Sequence, residues 1–243
     1  MKVAILADIH GNFDALKRVA EEIEEVQDII VLGDIIGYGA EPEECVRWVV
    51  GRKAKAVLGN HEAACIGELP LSWFNPRAAK ALLWTQEHLS SFSIQFIQSL
   101  PSIIPDFLQA LWVHGSPRQP TEEYIDHPFI AREIFEGFSF SLCFFGHTHQ
   151  AESYILREGK GVERVSFIKG GALRISPDNR YLINCGSVGQ PRDGNPQASF
   201  AIWDTEKEVV EIKRVDYDVY SASCKILDSG LPEYLAYRLE IGE

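Results

Sequence analysis

The feature that most constrains this chain is a rhythm: short apolar runs that stop abruptly at small or polar residues, several followed by helical periodicity. Val3–Ala7 ends at Asp8-Ile9-His10-Gly11-Asn12, Ile29–Leu32 at Gly33-Asp34, and Ala54–Leu58 at Gly59-Asn60-His61-Glu62. Leu108–Val113 ends at His114-Gly115, Leu142–Phe145 at Gly146-His147-Thr148-His149, and Tyr181–Ile183 at Asn184-Cys185-Gly186-Ser187. Continuous apolar runs of this length are expected of strands buried on both faces. In open α/β sheets ligands collect at the carboxyl ends of the strands, and all six polar motifs fall there.

Between the runs lie amphipathic helices. Phe13, Leu16, Val19, Ala20, Ile23 and Val26 recur at helical spacing behind the N-cap candidate Asn12. Pro42, Pro76 and Pro128 each occupy a first helical position, Pro76 behind Asn75. After His149 the texture changes. Gln150–Glu158, Val162–Ile168, Ala198–Asp204 and Lys207–Tyr217 read as strands of an antiparallel sheet, and Asp218–Glu243 as two short helices broken at Gly230-Leu231-Pro232. No linker separates domains. The expectation is a single α/β domain over residues 1–243, built as two stacked mixed sheets flanked by helices, a four-layer αββα sandwich.

Charge and cysteine usage exclude several function classes. A formal net charge of −12 repels polyanions, which argues against specific nucleic-acid binding and against docking on anionic membranes. A small phosphorylated substrate is still allowed, because bound cations reverse the field locally. The five cysteines are scattered and form no Cys-x-x-Cys, as suits reduced thiols. The first apolar run meets Asp8 too soon for a secretory leader, and the uncharged stretch Leu89–Pro105 is broken by Pro101. A cytoplasmic location is the resulting expectation; the oligomeric state is left open.

Of seven histidines, five sit at strand ends: His10, His61, His114, His147 and His149. With Asp8, Asp34 and Asn60 they bring imidazole nitrogen, carboxylate oxygen and amide oxygen together. A donor set without thiolate favours Mn, Fe, Zn, Co or Ni. Eight such side chains are too many for one ion and suit two, which need a bridging carboxylate when about 3.5–4 Å apart. Asp8-x-His10 and His147-x-His149 each place two ligands on one side of an extended segment. A lone strand-end histidine is usually a satisfied core residue, but this many in one pattern argue otherwise.

Asp-x-His, Gly-Asp, Gly-Asn-His-Glu, His-Gly and Gly-His-x-His, in that order from Asp8 to His149, resemble the signature of the calcineurin-like metallophosphoesterases. The segment Asn184–Gly194 resembles a further mark of a small bacterial and archaeal branch. The resemblance implies one metal site of Asp8, His10, Asp34 and His149 and a second of Asp34, Asn60, His114 and His147, with Asp34 bridging. It implies that His61 faces substrate, stabilising charge or protonating the leaving oxygen. It also implies hydrolysis of a small phosphodiester, nucleotide or dinucleoside polyphosphate by a hydroxide clamped between the ions. A metal-binding scaffold for protein partners is the rival reading, disfavoured because His61 is present. A nuclease is disfavoured by the acidity.

One departure matters. Phosphoprotein phosphatases of this superfamily follow Gly-Asp with an Asp-Arg pair that orients the histidine and grips phosphate; here Gly37 and Tyr38 stand in those places. Arg118 and Arg192 are the candidate substitutes for the grip. The aromatic residues Trp73, Phe74, Trp84, Phe92 and Phe96 read as core, with Trp73 or Phe74 stacking a nucleobase as the minority reading. Glu62 reads as the start of a helix, with support of the neighbouring ligands as the second reading, and His88 and His127 as structural.

Overall fold

The computed structural model describes all residues, 1–243. In chain order the elements are β1 (Lys2–Leu6), α1 (Phe13–Glu22), β2 (Asp28–Val31), α2 (Pro42–Gly51), β3 (Lys55–Ala56), α3 (Asn60–Cys65), α4 (Pro76–His88) and α5 (Ser91–Gln98). Then come β4 (Ile103–Phe107), β5 (Ala110–Val113), α6 (Pro128–Gly137), β6 (Leu142–Phe145), β7 (Ala151–Arg157), β8 (Gly161–Ser166) and β9 (Gly171–Arg174). The chain closes with β10 (Asn179–Cys185), β11 (Ala198–Asp204), β12 (Val209–Val215), α7 (Val219–Asp228) and α8 (Tyr234–Ile241).

The strands form two mixed six-stranded sheets, ordered β3-β2-β1-β11-β12-β9 and β4-β5-β6-β10-β7-β8. β1, β2 and β3 run parallel in the first, and β5, β6 and β10 in the second. The alternation of side chains along β1 decides the layers. Val3, Ile5 and Ala7 join a cluster with Trp112, Phe144, Tyr181 and Trp203 between the sheets, whereas Ala4 and Leu6 join Leu16, Val19 and Val46 under α1 and α2. Trp112 stacks on Phe144 at 4.6 Å and reaches Trp203 of the other sheet at 6.1 Å. On the far side, Cys143, Phe145 and Leu182 pack under Ala131, Ile134 and Phe135 of α6. β1, β2, β6 and the carboxyl half of β10 are thus buried on both faces, the reason their sequences show runs rather than alternation. The result is the expected α/β sandwich.

The caps follow their chemistry. Asn12 accepts the Ala15 amide and Asn75 those of Arg77 and Ala78, while Pro42, Pro76 and Pro128 open their helices. His127 caps α6 through its ring, and His88 lies at the end of α4 with its ring nitrogen on the Trp84 carbonyl. The helix after Asn12 stops at Glu22, and Val26 packs from outside it.

One expectation needs correction. The four strands read as one antiparallel sheet divide between the two: β7 and β8 extend the second, and β11 and β12 the first. β10 returns parallel to β6 and offers its other edge to β7, whereas β11 pairs with β1. Alternation reveals a hairpin but not which sheet edge receives it. Two strands escaped sequence reading, β4 and β9, because both are edge strands with mostly exposed or half-buried side chains. No helix is long and apolar enough to cross a membrane.

Candidate metal centre

Strand ends deliver the polar residues to one place. Asp8 and His10 follow β1, Asp34 follows β2, and Asn60 and His61 begin α3 just after β3. His114 follows β5, and His147 and His149 follow β6. All eight side chains are buried, none more than 3% exposed. Asp8, His10, Asp34, His147 and His149 also hold left-handed backbone, with φ between 50° and 67°. Such a residue costs on the order of 1–3 kcal/mol and persists only where its surroundings enforce it.

The enforcement is visible in the hydrogen bonds. The Glu62 carboxylate accepts the amides of Asp34 at 2.7 Å, Ile36 at 3.0 Å and Gly59 at 3.0 Å, tying the Asp34 loop to the Asn60 loop. Glu62 therefore does more than open a helix. Asp34 Oδ1 accepts the His61 amide at 3.0 Å, and a Cβ on Gly59 would lie 2.2 Å from that oxygen, so only glycine admits the approach. The Asn184–Gly194 segment braces the other side. Ser187 donates its hydroxyl to the Asp8 carbonyl at 2.7 Å, and Asn184 donates to the Gly146 carbonyl at 2.6 Å.

The imidazoles have their protons assigned by these braces. His10 Nδ1 donates to the Ile36 carbonyl (3.1 Å), His149 Nδ1 to the Gln190 carbonyl (2.6 Å), His114 Nδ1 to the Leu32 carbonyl (2.7 Å) and His147 Nε2 to the Glu122 carbonyl (3.2 Å). A carbonyl only accepts, so each of those nitrogens carries hydrogen and its ring partner is bare when the ring is neutral. Neutral is the state burial imposes: it pushes His10, His147 and His149 well below the usual histidine range and His114 down to about 4.

Bare nitrogens then face one another. His10 Nε2 lies 3.1 Å from His149 Nε2, and His114 Nε2 lies 3.0 Å from both His147 Nδ1 and Asn60 Oδ1. Asp34 Oδ2 stands 3.5 Å from His10 Nε2 and from His114 Nε2, and Asp8 Oδ1 3.5 Å from His149 Nε2. Two nests of imidazole lone pairs meet at one carboxylate oxygen. The groups Asp8-His10-Asp34-His149 and Asp34-His114-His147 could each hold a cation, and the donor chemistry fits a divalent ion in each. Burial also raises the Asp34 carboxyl to about 7 and lifts Asp8 well above the carboxylate range, Asp34 adding to the latter by repulsion. Cations would relieve both.

His61 is held differently. Its buried Nδ1 has no hydrogen-bond partner and sits over Gly37, where a Cβ would come within 2.1 Å of it. The ring is wedged by Tyr38 at 4.4 Å, His10 at 4.7 Å and Phe74 at 5.2 Å. Packing, rather than a carboxylate, orients this histidine.

Above the cluster is a pocket of about 260 Å³ lined by Asp34, Asn60, His61, His147 and His149, with Tyr38, Trp73, Phe74, Tyr124 and Arg192 as its rim. Trp73 is 41% exposed and Phe92 47%, so the expectation of core packing fails for both. Pro70 and Asn75 bound a short turn that lifts Trp73 out of the helical stretch, and Phe92 lies on the outer face of α5. Tyr124 stacks on His147 at 3.8 Å. Of the two candidate arginines, Arg192 lines the pocket, whereas Arg118 is bound to Glu123 and Glu133 away from it. Asn75 also lines the pocket, and its sequence signal was wholly spent on its role as a cap.

Comparison with known proteins places the chain among relatives. Residues 1–208 match the calcineurin-like phosphoesterase superfamily domain. The chain is 36% identical over 252 residues to an uncharacterized protein of Methanocaldococcus jannaschii, covering 99% of this chain and 98% of that one. The crystal structure of a metallophosphoesterase from Sphaerobacter thermophilus is 41% identical, with a TM-score of 0.89 over 100% of this chain and 99% of that one. A symmetrical bis(5'-nucleosyl)-tetraphosphatase of Pasteurella multocida is 36% identical over 67 residues, only 26% of this chain and 24% of that protein.

Proposed function

The chain belongs to the calcineurin-like phosphoesterase superfamily and is a phosphoric ester hydrolase; from that premise we propose that it hydrolyses a small phosphodiester or nucleotide, dinucleoside polyphosphates included, with two divalent ions. The observation that carries this reading is Asp34 Oδ2, equidistant at 3.5 Å from one imidazole of each ligand group. Asp8, His10, Asp34 and His149 would hold one ion, and Asp34, Asn60, His114 and His147 the other. Bound there, the pair supplies Lewis acidity and an activated water.

The rest falls to the chain's own side chains. His61 lines the pocket beside Asp34 without ligating, and serves to stabilise the leaving oxygen or to hand it a proton. Arg192 is the one guanidinium on the rim and takes a phosphate oxygen. Trp73 and Tyr124 offer exposed ring faces for a base or another flat leaving group. The short similarity to tetraphosphatases is consistent with a nucleotide substrate.

The test is hydrolysis of bis-p-nitrophenyl phosphate by protein reconstituted separately with Mn, Fe, Co, Ni and Zn, with bound metal counted by elemental analysis. The expected result is two ions per chain and turnover that depends on them. His61→Asn keeps both ions and loses about 10²–10⁴-fold in kcat. A single ion per chain at saturation, or loss of an ion on changing His61, would overturn the assignment.

A further inference from the structure

Beside the pocket at the metal cluster lies a second concavity of about 540 Å³, and the two share Tyr38, Asn75, Ala78, Tyr124 and Arg192. Alone, the first is smaller than the roughly 300–1,000 Å³ usual for sites of nucleotide-sized ligands. The second continues it over the start of α4 and onto α8, where Arg77, Tyr234 and Arg238 complete the wall.

The charge here runs against that of the molecule. Arg77 and Arg238 bring their guanidinium carbons to 4.3 Å and 5.4 Å from the ring of Tyr234, and Arg192 sits 5.7 Å from the ring of Tyr38. None of the three forms a side-chain salt bridge: Arg192 donates to the Gln190 side chain, and Arg238 donates to the main-chain oxygen of Glu243, whose charge also favours it. Elsewhere Arg18, Arg118, Arg164 and Arg214 are each tied to a carboxylate and Arg180 to three backbone carbonyls, while Arg52, Arg132 and Arg174, also without a salt bridge, line neither concavity. Arg192 Nε is buried without any partner. Arg238 feels the crowding, since burial and the neighbouring Arg192 bring its guanidinium down to about 10. A chain of net charge −12 nonetheless gathers three cations around this groove, and no carboxylate side chain lines it. Guanidinium groups held apart from carboxylates and beside a phosphoester site are donors waiting for a bidentate oxyanion.

We infer that this groove is a distal phosphate subsite, in which Arg77, Arg192 and Arg238 bind a second phosphate of a substrate whose scissile phosphate lies at the metal cluster. The inference rests on the phosphoesterase reading above and adds to it a selection rule. Small substrates with a chain of phosphates are preferred over simple diesters. Arg192, which lines both concavities, is the link between the two phosphates. Tyr234 is a positioning residue: its ring fixes the planes of two guanidinium groups that would otherwise repel one another.

The experiment compares two substrates at fixed free metal, diadenosine tetraphosphate and the p-nitrophenyl ester of thymidine 5'-phosphate, which has no distal phosphate. Arg77→Gln is the first variant, because the Arg77 side chain is exposed and lines the groove. Arg238→Gln, Arg238→Lys and the Arg77/Arg238 double Gln variant follow. The expected result is that the double variant raises KM for the tetraphosphate at least tenfold more than KM for the ester. The salt dependence of KM for the tetraphosphate should flatten at the same time, and Arg238→Lys should recover part of the loss. Equal losses on both substrates, or no loss on either, would overturn the subsite. Wild-type turnover of the ester without turnover of the tetraphosphate would sink the subsite and leave the phosphoesterase reading standing. Turnover of neither would remove both.

Discussion

The strand-end cluster and the arginine groove beside it are held in place by opposite means. In the cluster the backbone sets the geometry: Asp8, His10, Asp34, His147 and His149 sit in left-handed conformations, and carbonyls fix the tautomers of four imidazoles. In the groove, side chains on ordinary helical positions of α4 and α8 reach over a tyrosine ring. The first arrangement tolerates almost no change, because a slip of a few tenths of an ångström separates the lone pairs that must converge. The second can be altered residue by residue without disturbing the sheets. Chemistry is built into the backbone and selectivity hung on the helices.

That contrast breaks most sharply at Asp34. Asp34→Asn removes the one charged oxygen common to both ligand groups, and it should reduce bound metal below two ions per chain. The accompanying fall in kcat is on the order of 10²–10³-fold, the scale of losing one preorganised electrostatic contact. Elemental analysis and steady-state rates on the same preparation check both parts. Unchanged metal content would mean that the backbone geometry does not serve paired cations.

Gly37→Ala probes the same idea without touching a ligand. Its φ is 89°, and the added methyl would collide with His61 Nδ1. The expected outcome is a loss of about 10²-fold in kcat from displacement of the ring. Metal content should stay at two ions, which separates His61 from the ligands. A variant with full activity would show that the wedge of aromatic rings does not orient His61.

Proton competition gives a smaller effect with a defined sign. Burial raises Asp34 to about 7 and lifts its neighbour Asp8 as well, so below pH 7 this carboxylate pair holds a proton where the cations would bind. Binding must displace it, and affinity should fall about tenfold or more per pH unit below pH 7. Metal titrations at pH 5.5, 6.5 and 7.5 in weakly coordinating buffers would measure the slope. An affinity independent of pH would remove Asp34 from the ligand set.

The smallest expected difference lies between two arginines. Arg118 is occupied by Glu123 and Glu133, whereas Arg192 faces the pocket. Arg192→Ala should therefore raise KM for a phosphodiester several-fold more than Arg118→Ala does, one hydrogen bond at a solvent-open rim being worth about 0.5–1.5 kcal/mol net. The reverse order would shift the phosphate grip to the Arg118 loop.

Much of the cluster was legible because its signals are local. Each apolar run announces a doubly buried strand, and the polar residue that ends it must stand at a carboxyl edge, so Asp8, Asp34, Asn60, His114 and His147 could be read as neighbours before any coordinates. Glycines beside them marked the places where backbone comes close. Other elements left weaker traces. β4 and β9 lie at sheet edges and bury little, and the partner sheet of β7 and β8 depends on where β10 returns. Trp73 looked like core because aromatic residues in a helical stretch usually are.

The sequence by itself determined the layers, the strand-end positions of the candidate ligands and the family, because burial periodicity and motif order are written along the chain. Only the tertiary structure decided what meets across it. Gly37 under His61, the Asp34 and Ile36 amides on Glu62, and Arg77 against Tyr234 are contacts between segments whose local patterns carry no record of one another. Their physical reason is packing at a distance, where the register of two sheets and the angle of a terminal helix pair choose which side chains touch.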